Sequence, residues 1–99
     1  MEYLVSLEIA PPAGTPADTI EDRRAREAAR VHELAERGHV VRLWRPPAEP
    51  GEWRALGLWR ASDEIELHAI LKSLPLYEWF TVGVTPLSPH PNDPALVDS

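Results

Sequence analysis

The sequence predicts an α+β domain of the ferredoxin-like class, in which an antiparallel sheet carries two helices on one face. Residues 3–9 alternate apolar with more polar side chains, as a strand with one buried face does. Two further segments rich in β-forming residues, 39–45 and 53–61, are joined by the turn-forming stretch PPAEPGE. One helical segment precedes this pair and one follows it before a last strand. The order is therefore β-α-β-β-α-β, the split βαβ pattern.

The first strand is followed by a clear break and then by a long helix. The strand places four apolar side chains on one face: Tyr3, Val5, Leu7 and Ile9. The prolines and glycine of APPAGTPAD end it. Asp18 or Thr19 is the predicted N-cap of the helix, and Gly38 stands where a C-terminal stop belongs.

The second half of the chain predicts a shorter helix and a closing strand. Ser62 or Asp63 is suited to cap a helix that runs through IELHAILKSL until Pro75. The segment WFTVGVTPL then reads as the last strand. We expect one domain over residues 1–88 and a Pro-rich C-terminal tail over 89–99, either loose or draped on a neighbour.

Composition excludes several classes of function. The formal net charge is −6, and no run of Lys and Arg forms the basic patch that nucleic-acid binding requires. With no cysteine there is no disulfide, thiolate nucleophile or zinc-thiolate site. The acidic, alternating N-terminus is unlike a signal peptide, and no segment approaches the roughly 20 apolar residues of a membrane span. We expect a cytoplasmic protein that binds neither nucleic acid nor membrane.

The predicted strands carry apolar or aromatic groups on both faces. Leu4 opposes Tyr3 and Trp44 opposes Leu43. In the third strand Leu56 and Leu58 take one face, and Trp53 and Trp59 take the other. Two helices cover only one face of such a sheet, so the other needs a partner. The sequence therefore predicts at least a homodimer that packs on the helix-free side.

The first helix carries charge on the face that should be apolar. Steps of three and four residues from Ile20 lead to Arg24 and Glu27 before they reach Val31 and Leu34. One explanation is a buried ion pair that ties the helix to the sheet. The other is a polar pocket between helix and sheet, which the two charged groups line.

Ordered motifs along the chain resemble the muconolactone Δ-isomerase family. The segments TPADTIEDRRAREAA, GHVVRLWR, ELHAILKSLPLYEWF and VTPLSPHP follow one another in the order, and near the spacing, of that family. The similarity spans nearly the whole chain. At some positions this chain differs from the family. Where this chain has Arg24, the family commonly has Lys, and where it has Val40 and Arg42, the family has an aromatic residue and a His. The family also has a Tyr near the position of Leu56.

The resemblance implies a dimeric α+β barrel that assembles further into rings of dimers, commonly decamers. It also implies an isomerase of the β-ketoadipate pathway of aromatic catabolism. Such an enzyme shifts the ring double bond of (+)-muconolactone to give 3-oxoadipate enol-lactone, without a cofactor. Close relatives in that family act on chlorinated muconolactones and eliminate chloride.

That chemistry suggests roles for three charged or titratable side chains. Glu27 suits a general base, whose pKa burial would raise and a neighbouring cation would lower. Arg24 can bind a carboxylate of the substrate with its planar guanidinium. Alternatively, its long stem covers apolar surface while the charged group reaches solvent. His68 matches the family's ELH and would donate to the lactone oxygen or relay a proton, although a lone helical His is more often structural.

Three further residues are candidates for substrate binding. Trp44 and Arg45 point to opposite faces of the second strand, where they would contact the lactone or serve structure and subunit contacts. Tyr77 follows LPL in a turn, as a pocket rim or an interface anchor. The His residues have no spacing to carboxylates that makes a metal site, so we predict none.

Two alternatives to the isomerase stay open. One is a non-catalytic dimeric barrel, a binding or assembly module, because one ferredoxin-like scaffold serves many functions. The other keeps proton transfer but acts as an isomerase or dehalogenase on a different or substituted lactone.

Overall fold

The computed structural model describes residues 1–96 and has the predicted order of elements. Four strands form one antiparallel sheet in the order β2-β3-β1-β4, with the two helices on one face. The elements are β1 Glu2–Ile9, α1 Ala17–Glu36, β2 Val40–Trp44, β3 Arg54–Arg60, α2 Glu64–Lys72 and β4 Phe80–Leu87. Short 3-10 turns add Tyr77–Trp79 and Pro94–Leu96. The ferredoxin-like βαββαβ prediction is confirmed.

The register of the sheet separates a helix side from a helix-free side. The helix side of β1 presents Tyr3, Val5, Leu7 and Ile9, all of which are buried. Their partners in β3 include Trp59, which is 1% exposed. The helix-free side carries Leu4, Leu56 and Leu58, as the alternating pattern predicts. Among the described residues, the two helices cover the helix side of the sheet, and no helix covers the other side.

Helix α2 begins and ends where its sequence signals indicate. The Asp63 carboxylate accepts a hydrogen bond from the Glu66 backbone N–H at 2.8 Å, which confirms the predicted cap. Three residues of the helix are buried in the core: Leu67, Ile70 and Leu71. Pro75 follows shortly after the helix ends at Lys72, since proline cannot continue it.

Helix α1 begins earlier than its predicted caps. Pro16 occupies the N-cap position, and its carbonyl accepts from the N–H groups of Thr19 and Ile20 at 3.0 and 3.2 Å. The prediction of Asp18 or Thr19 as N-cap is therefore wrong, because both already lie inside the first turn. Asp18 is still favourable there, since its negative charge lies near the positive end of the helix dipole.

The other end of α1 is closed by Gly38, as predicted. Gly38 has φ +84°, a left-handed conformation that suits glycine. Its N–H donates to Ala35 O at 3.0 Å, and the His39 N–H donates to Leu34 O at 2.9 Å. These two bonds form a Schellman motif, which directs the chain back into β2.

Helix α1 packs loosely on the sheet. Leu34 is its one buried residue, while Ile20 and Val31 are half-buried against the core. Arg24 and Ala28 are exposed although they lie on the side of the helix that faces the sheet. A long helix with so little buried surface leaves open space between itself and β2 and β3.

None of the helices formed by residues 1–96 combines the length and apolar character needed to cross a membrane.

Gly57 is a position in β3 where we expect a methyl group to be costly. A Cβ at Gly57 would lie 2.6 Å from Trp59 Nε1 and 2.8 Å from Leu43 Cδ2. Trp59 is buried and has little room to move aside, so Gly57→Ala should lower the free energy of unfolding by about 1–3 kcal/mol through overpacking. Chemical denaturation would measure it.

The matched control for this prediction is Gly83→Ala in β4. There the added Cβ would meet the end of the Ser6 side chain, whose hydroxyl oxygen would lie 2.6 Å away, and in the single chain Ser6 is exposed, so that hydroxyl can turn aside. We expect a change within about 0.5 kcal/mol. Equal losses at both positions would contradict the role given to the Trp59 ring.

Candidate active site

A groove of about 610 Å³ lies between α1 and the helix side of β2 and β3. Its walls are mostly apolar, with a carboxylate and a guanidinium on the α1 side. This combination, an apolar pocket with a few polar groups, is typical of sites for small molecules. Residues that define it include Arg24, Glu27, Val31, Leu43, Trp53 and Phe80. The charged stripe predicted on the first helix therefore faces an open groove.

Glu27 is half-buried in the wall of this groove. Its Oε1 accepts a hydrogen bond from the Leu76 backbone N–H at 3.0 Å. Burial raises the pKa of the Glu27 carboxyl above its ordinary value, and the Leu76 hydrogen bond opposes that rise. Within residues 1–96, Oε2 makes no hydrogen bond, so that oxygen is available to accept a proton.

Arg24 lies one turn before Glu27 and stacks on an aromatic ring. Its guanidinium carbon is 4.9 Å from the centre of the Trp53 ring, a cation–π distance. No ion pair joins Arg24 to Glu27 among the described residues, so the alternative of a buried ion pair is wrong. The guanidinium is exposed at the edge of the groove, where it could bind an anionic group.

His68 and Trp44 lie outside the groove of a single chain. His68 is exposed on α2 and does not line the groove. Trp44 is 40% exposed on the helix-free side, where it opposes Leu56 and the Arg42 guanidinium lies 5.2 Å from its ring centre. One chain therefore does not bring either residue to Glu27, and their roles stay predictions.

Arg45 and Tyr77 are also separate from the groove. Arg45 directly follows Trp44, the last residue of β2, and it is exposed and does not line the groove, so its role stays a prediction. Tyr77 lies in the turn after Leu76, half-buried, with its ring 6.3 Å from that of Phe80 in an edge-to-face arrangement. Tyr77 is thus adjacent to the groove rather than in it.

The sequence does not indicate two functional groups of the groove. The sequence pattern predicts only that Trp53 begins a strand, whereas in the structure its ring supports the Arg24 guanidinium. The other group is the Leu76 N–H, a backbone donor, which no residue type can indicate. The proline before it was the available signal, because Pro75 ends α2 and turns the chain back toward α1.

The positions that differ from the family pattern fall on two faces. Val40 borders the groove on the helix side. Arg42 also touches the groove, but it pairs with Leu58 in the sheet and its guanidinium lies over Trp44, so its charge is on the helix-free side with Leu56. Within residues 1–96, no three His, Asp or Glu side chains lie close enough together to bind a metal ion. A second cavity, of about 830 Å³, lies under the tail, and none of the predicted site residues lines it.

Comparisons with known proteins agree with one another. A family model described as muconolactone delta-isomerase matches residues 1–93. The muconolactone Delta-isomerase of Cupriavidus pinatubonensis is 34% identical over 92 residues, which cover 93% of this chain and 97% of that protein. Muconolactone Delta-isomerase 1 of Acinetobacter lwoffii is 30% identical over 92 residues, or 93% of each chain.

Solved structures show the same fold. A crystal structure of muconolactone isomerase superimposes with a TM-score of 0.84 and 22% identity, covering 100% of this chain and 97% of that one. A 5-chloro-2-hydroxyhydroquinone dehydrochlorinase from Burkholderia phenoliruptrix gives a TM-score of 0.66 and 15% identity, covering 89% and 94%. The match of the family model over nearly the whole chain shows that this protein belongs to the muconolactone delta-isomerase family.

Proposed function

We propose that this protein is an isomerase that converts muconolactone to 3-oxoadipate enol-lactone in aromatic catabolism, without a cofactor. The observation that carries the proposal is Glu27, a half-buried carboxyl with a raised pKa and one free oxygen in an apolar groove. Family membership supports the choice of substrate. A carboxyl group tuned toward neutral pH is the kind of group that proton abstraction from carbon requires.

The reaction moves one proton and one double bond. Glu27 Oε2 takes the proton from the ring carbon that bears the acetate arm, and the electrons of that C–H bond form the new ring double bond. The former double bond shifts toward the lactone carbonyl, whose oxygen becomes negative in the dienolate. The same carboxyl returns its proton to the carbon next to the carbonyl, so the product is an isomer and Glu27 is regenerated. One base can serve both steps if they occur on the same face of the ring.

Arg24 is proposed to bind the acetate arm of the substrate. Its planar fork can donate two hydrogen bonds to a carboxylate, and the Trp53 ring fixes the guanidinium at the groove edge. The apolar strands then contact the lactone ring. Tyr77 would contribute to the rim through Phe80.

The remaining predicted site residues require a second copy of the chain. His68, Trp44 and Arg45 lie outside the groove of one chain, so a catalytic or binding role for them depends on another subunit that brings them to it. We include them in the proposal on that condition. A ring of dimers such as a decamer, and a cytoplasmic location, are further parts of the same proposal.

The helix-free side of the sheet is the proposed dimer surface. It carries Leu4, Leu56 and Leu58 beside Trp44, with pairs such as Glu2–Arg60 at its edge. Leu58→Glu should reduce the mass measured by light scattering toward that of the 11.1 kDa chain, because it places a charge in an apolar contact. Ala29→Glu, on the exposed side of α1, is the control. An unchanged mass in Leu58→Glu would place the contact elsewhere.

A spectrophotometric assay with (+)-muconolactone tests the function itself. We expect turnover by the purified protein after treatment with a chelator and without added cofactor. A folded protein with no turnover would refute the proposed substrate. Turnover of only substituted lactones would then indicate an isomerase or dehalogenase for a different lactone. Protection of the protein against heat by muconolactone, without turnover, would indicate a binding module.

A further inference from the structure

One peptide group is held at both ends by side chains of α1. The Pro75 carbonyl accepts a hydrogen bond from Arg23 Nη1 at 3.4 Å. The N–H of the same peptide belongs to Leu76 and donates to Glu27 Oε1 at 3.0 Å. Arg23 and Glu27 are one helical turn apart, so a single face of α1 contacts both poles of the Pro75–Leu76 peptide.

Arg23 is itself fixed in place. Its guanidinium carbon lies 4.7 Å from the centre of the Trp79 ring, and Nη1 is 3.1 Å from the Glu78 carboxylate. The side chain is only 24% exposed. Arg23 does not line the groove, so it does not contact a molecule bound there directly. Its influence on the site must pass through the turn that it holds.

The Pro75–Leu76 peptide can transmit that influence. A cation at a carbonyl oxygen polarises the peptide group, which makes its N–H a stronger donor. A stronger donor at Leu76 both orients the Glu27 carboxylate and stabilises its charged form. Resting on the proposed function of Glu27, we propose that Arg23 is a positioning residue for the general base and acts through the Pro75–Leu76 peptide.

Other charged groups around Glu27 do not provide this contact. On α1 the groove contains Arg24, which stacks on Trp53, and His32, whose Nε2 is 2.9 Å from Glu36. Arg42 borders the groove from β2, but its guanidinium lies over Trp44. The other strand residues at the groove are apolar, among them Leu7, Ile9 and Ala55. Glu78, in the turn, pairs with Arg23 itself. Within residues 1–96, Leu76 is the one hydrogen-bond donor to Glu27.

The test compares Arg23→Met with Arg26→Met. Arg26 lies on the same helix and, among residues 1–96, pairs only with the exposed Asp22, so its variant controls for the loss of one positive charge from α1. In Arg23→Met we expect the acid limb of the pH profile of kcat/KM to move to higher pH. At a pH on that limb, kcat/KM should fall about two- to threefold, as expected for a modest loss of hydrogen-bond strength. The plateau should change less, and Arg26→Met should match the wild type.

A carboxyl titration makes the result independent of activity. In protein with 13C-labelled glutamate, the Glu27 signal can be identified by its loss in Glu27→Gln. Arg23→Met should raise the midpoint of that titration, while Arg23→Lys, which keeps a charged donor, should recover part of the difference. An unchanged midpoint in Arg23→Met, with the variant folded, would overturn the inference. If the wild type has no isomerase activity, the proposed function fails, and the titration alone still decides whether Arg23 acts on Glu27.

Discussion

Glu27→Gln is expected to lower kcat/KM for muconolactone by about 100- to 10,000-fold, the range for loss of a positioned general base. The amide is nearly the same size as the carboxyl, and its oxygen can still accept the Leu76 hydrogen bond. It cannot take a proton from carbon. The loss should therefore appear in kcat, since the groove and Arg24 remain available to bind substrate. Steady-state assays across pH 5–9 would measure it.

The stability of this variant separates chemistry from folding. Burial raises the pKa of Glu27, so the folded protein favours the protonated form more than the unfolded chain does. That contribution to stability is present at low pH and is lost as pH rises through the folded-state pKa. Glutamine stays uncharged at every pH, so Glu27→Gln does not have this loss. Above the folded-state pKa of Glu27, the free energy of unfolding of the variant should be at least that of the wild type in chemical denaturation.

A matched variant and a clear threshold complete this test. Glu21→Gln removes an exposed carboxylate from the same helix and should keep full activity. If folded Glu27→Gln keeps more than about a tenth of the wild-type kcat/KM, Glu27 is not the base. The search would then move to other groups that a neighbouring subunit could supply, His68 first.

The sequence was sufficient for the fold because its signals are local. Alternation in the first strand, Asp63 before α2, Pro75 after it and Gly38 at the end of α1 each act within a few residues. The one wrong cap at α1 has the same origin. The turn-forming residues of APPAGTPAD indicate a loop through Pro16, whereas the Pro16 carbonyl accepts the first hydrogen bonds of α1.

The site was only partly predictable, because spacing fixes the direction of a side chain but not what lies opposite. Helical periodicity placed Arg24 and Glu27 on one inward face, and the groove is there. It could not show that Arg24 stacks on Trp53 rather than pairing with Glu27, since Trp53 lies just before β3, far along the chain from α1. His68 shows the opposite limit of sequence reasoning. The ELH motif suggests a catalytic role for it, but in one chain its side chain does not line the groove.

Arg24→Met is expected to lower kcat/KM for muconolactone about 10- to 150-fold, mainly through a higher KM. A hydrogen bond to a charged group contributes roughly 1.5–3 kcal/mol, which corresponds to that range. Methionine keeps much of the apolar stem but removes the guanidinium that stacks on Trp53. Because the guanidinium is exposed, its loss should change the free energy of unfolding by no more than about 1 kcal/mol.

A second substrate shows whether Arg24 acts on the acetate arm. An unsaturated lactone with a methyl group in place of that arm should be a poor substrate for the wild type and an equally poor one for Arg24→Met. The loss in the variant and the loss in the truncated substrate should then fail to add, because both remove the same contact. Equal fold-losses on both substrates would instead mean that Arg24 supports the groove or the charge of Glu27. Arg24→Lys distinguishes these further, since it keeps the positive charge near Glu27 but loses the planar fork that holds a carboxylate at two points.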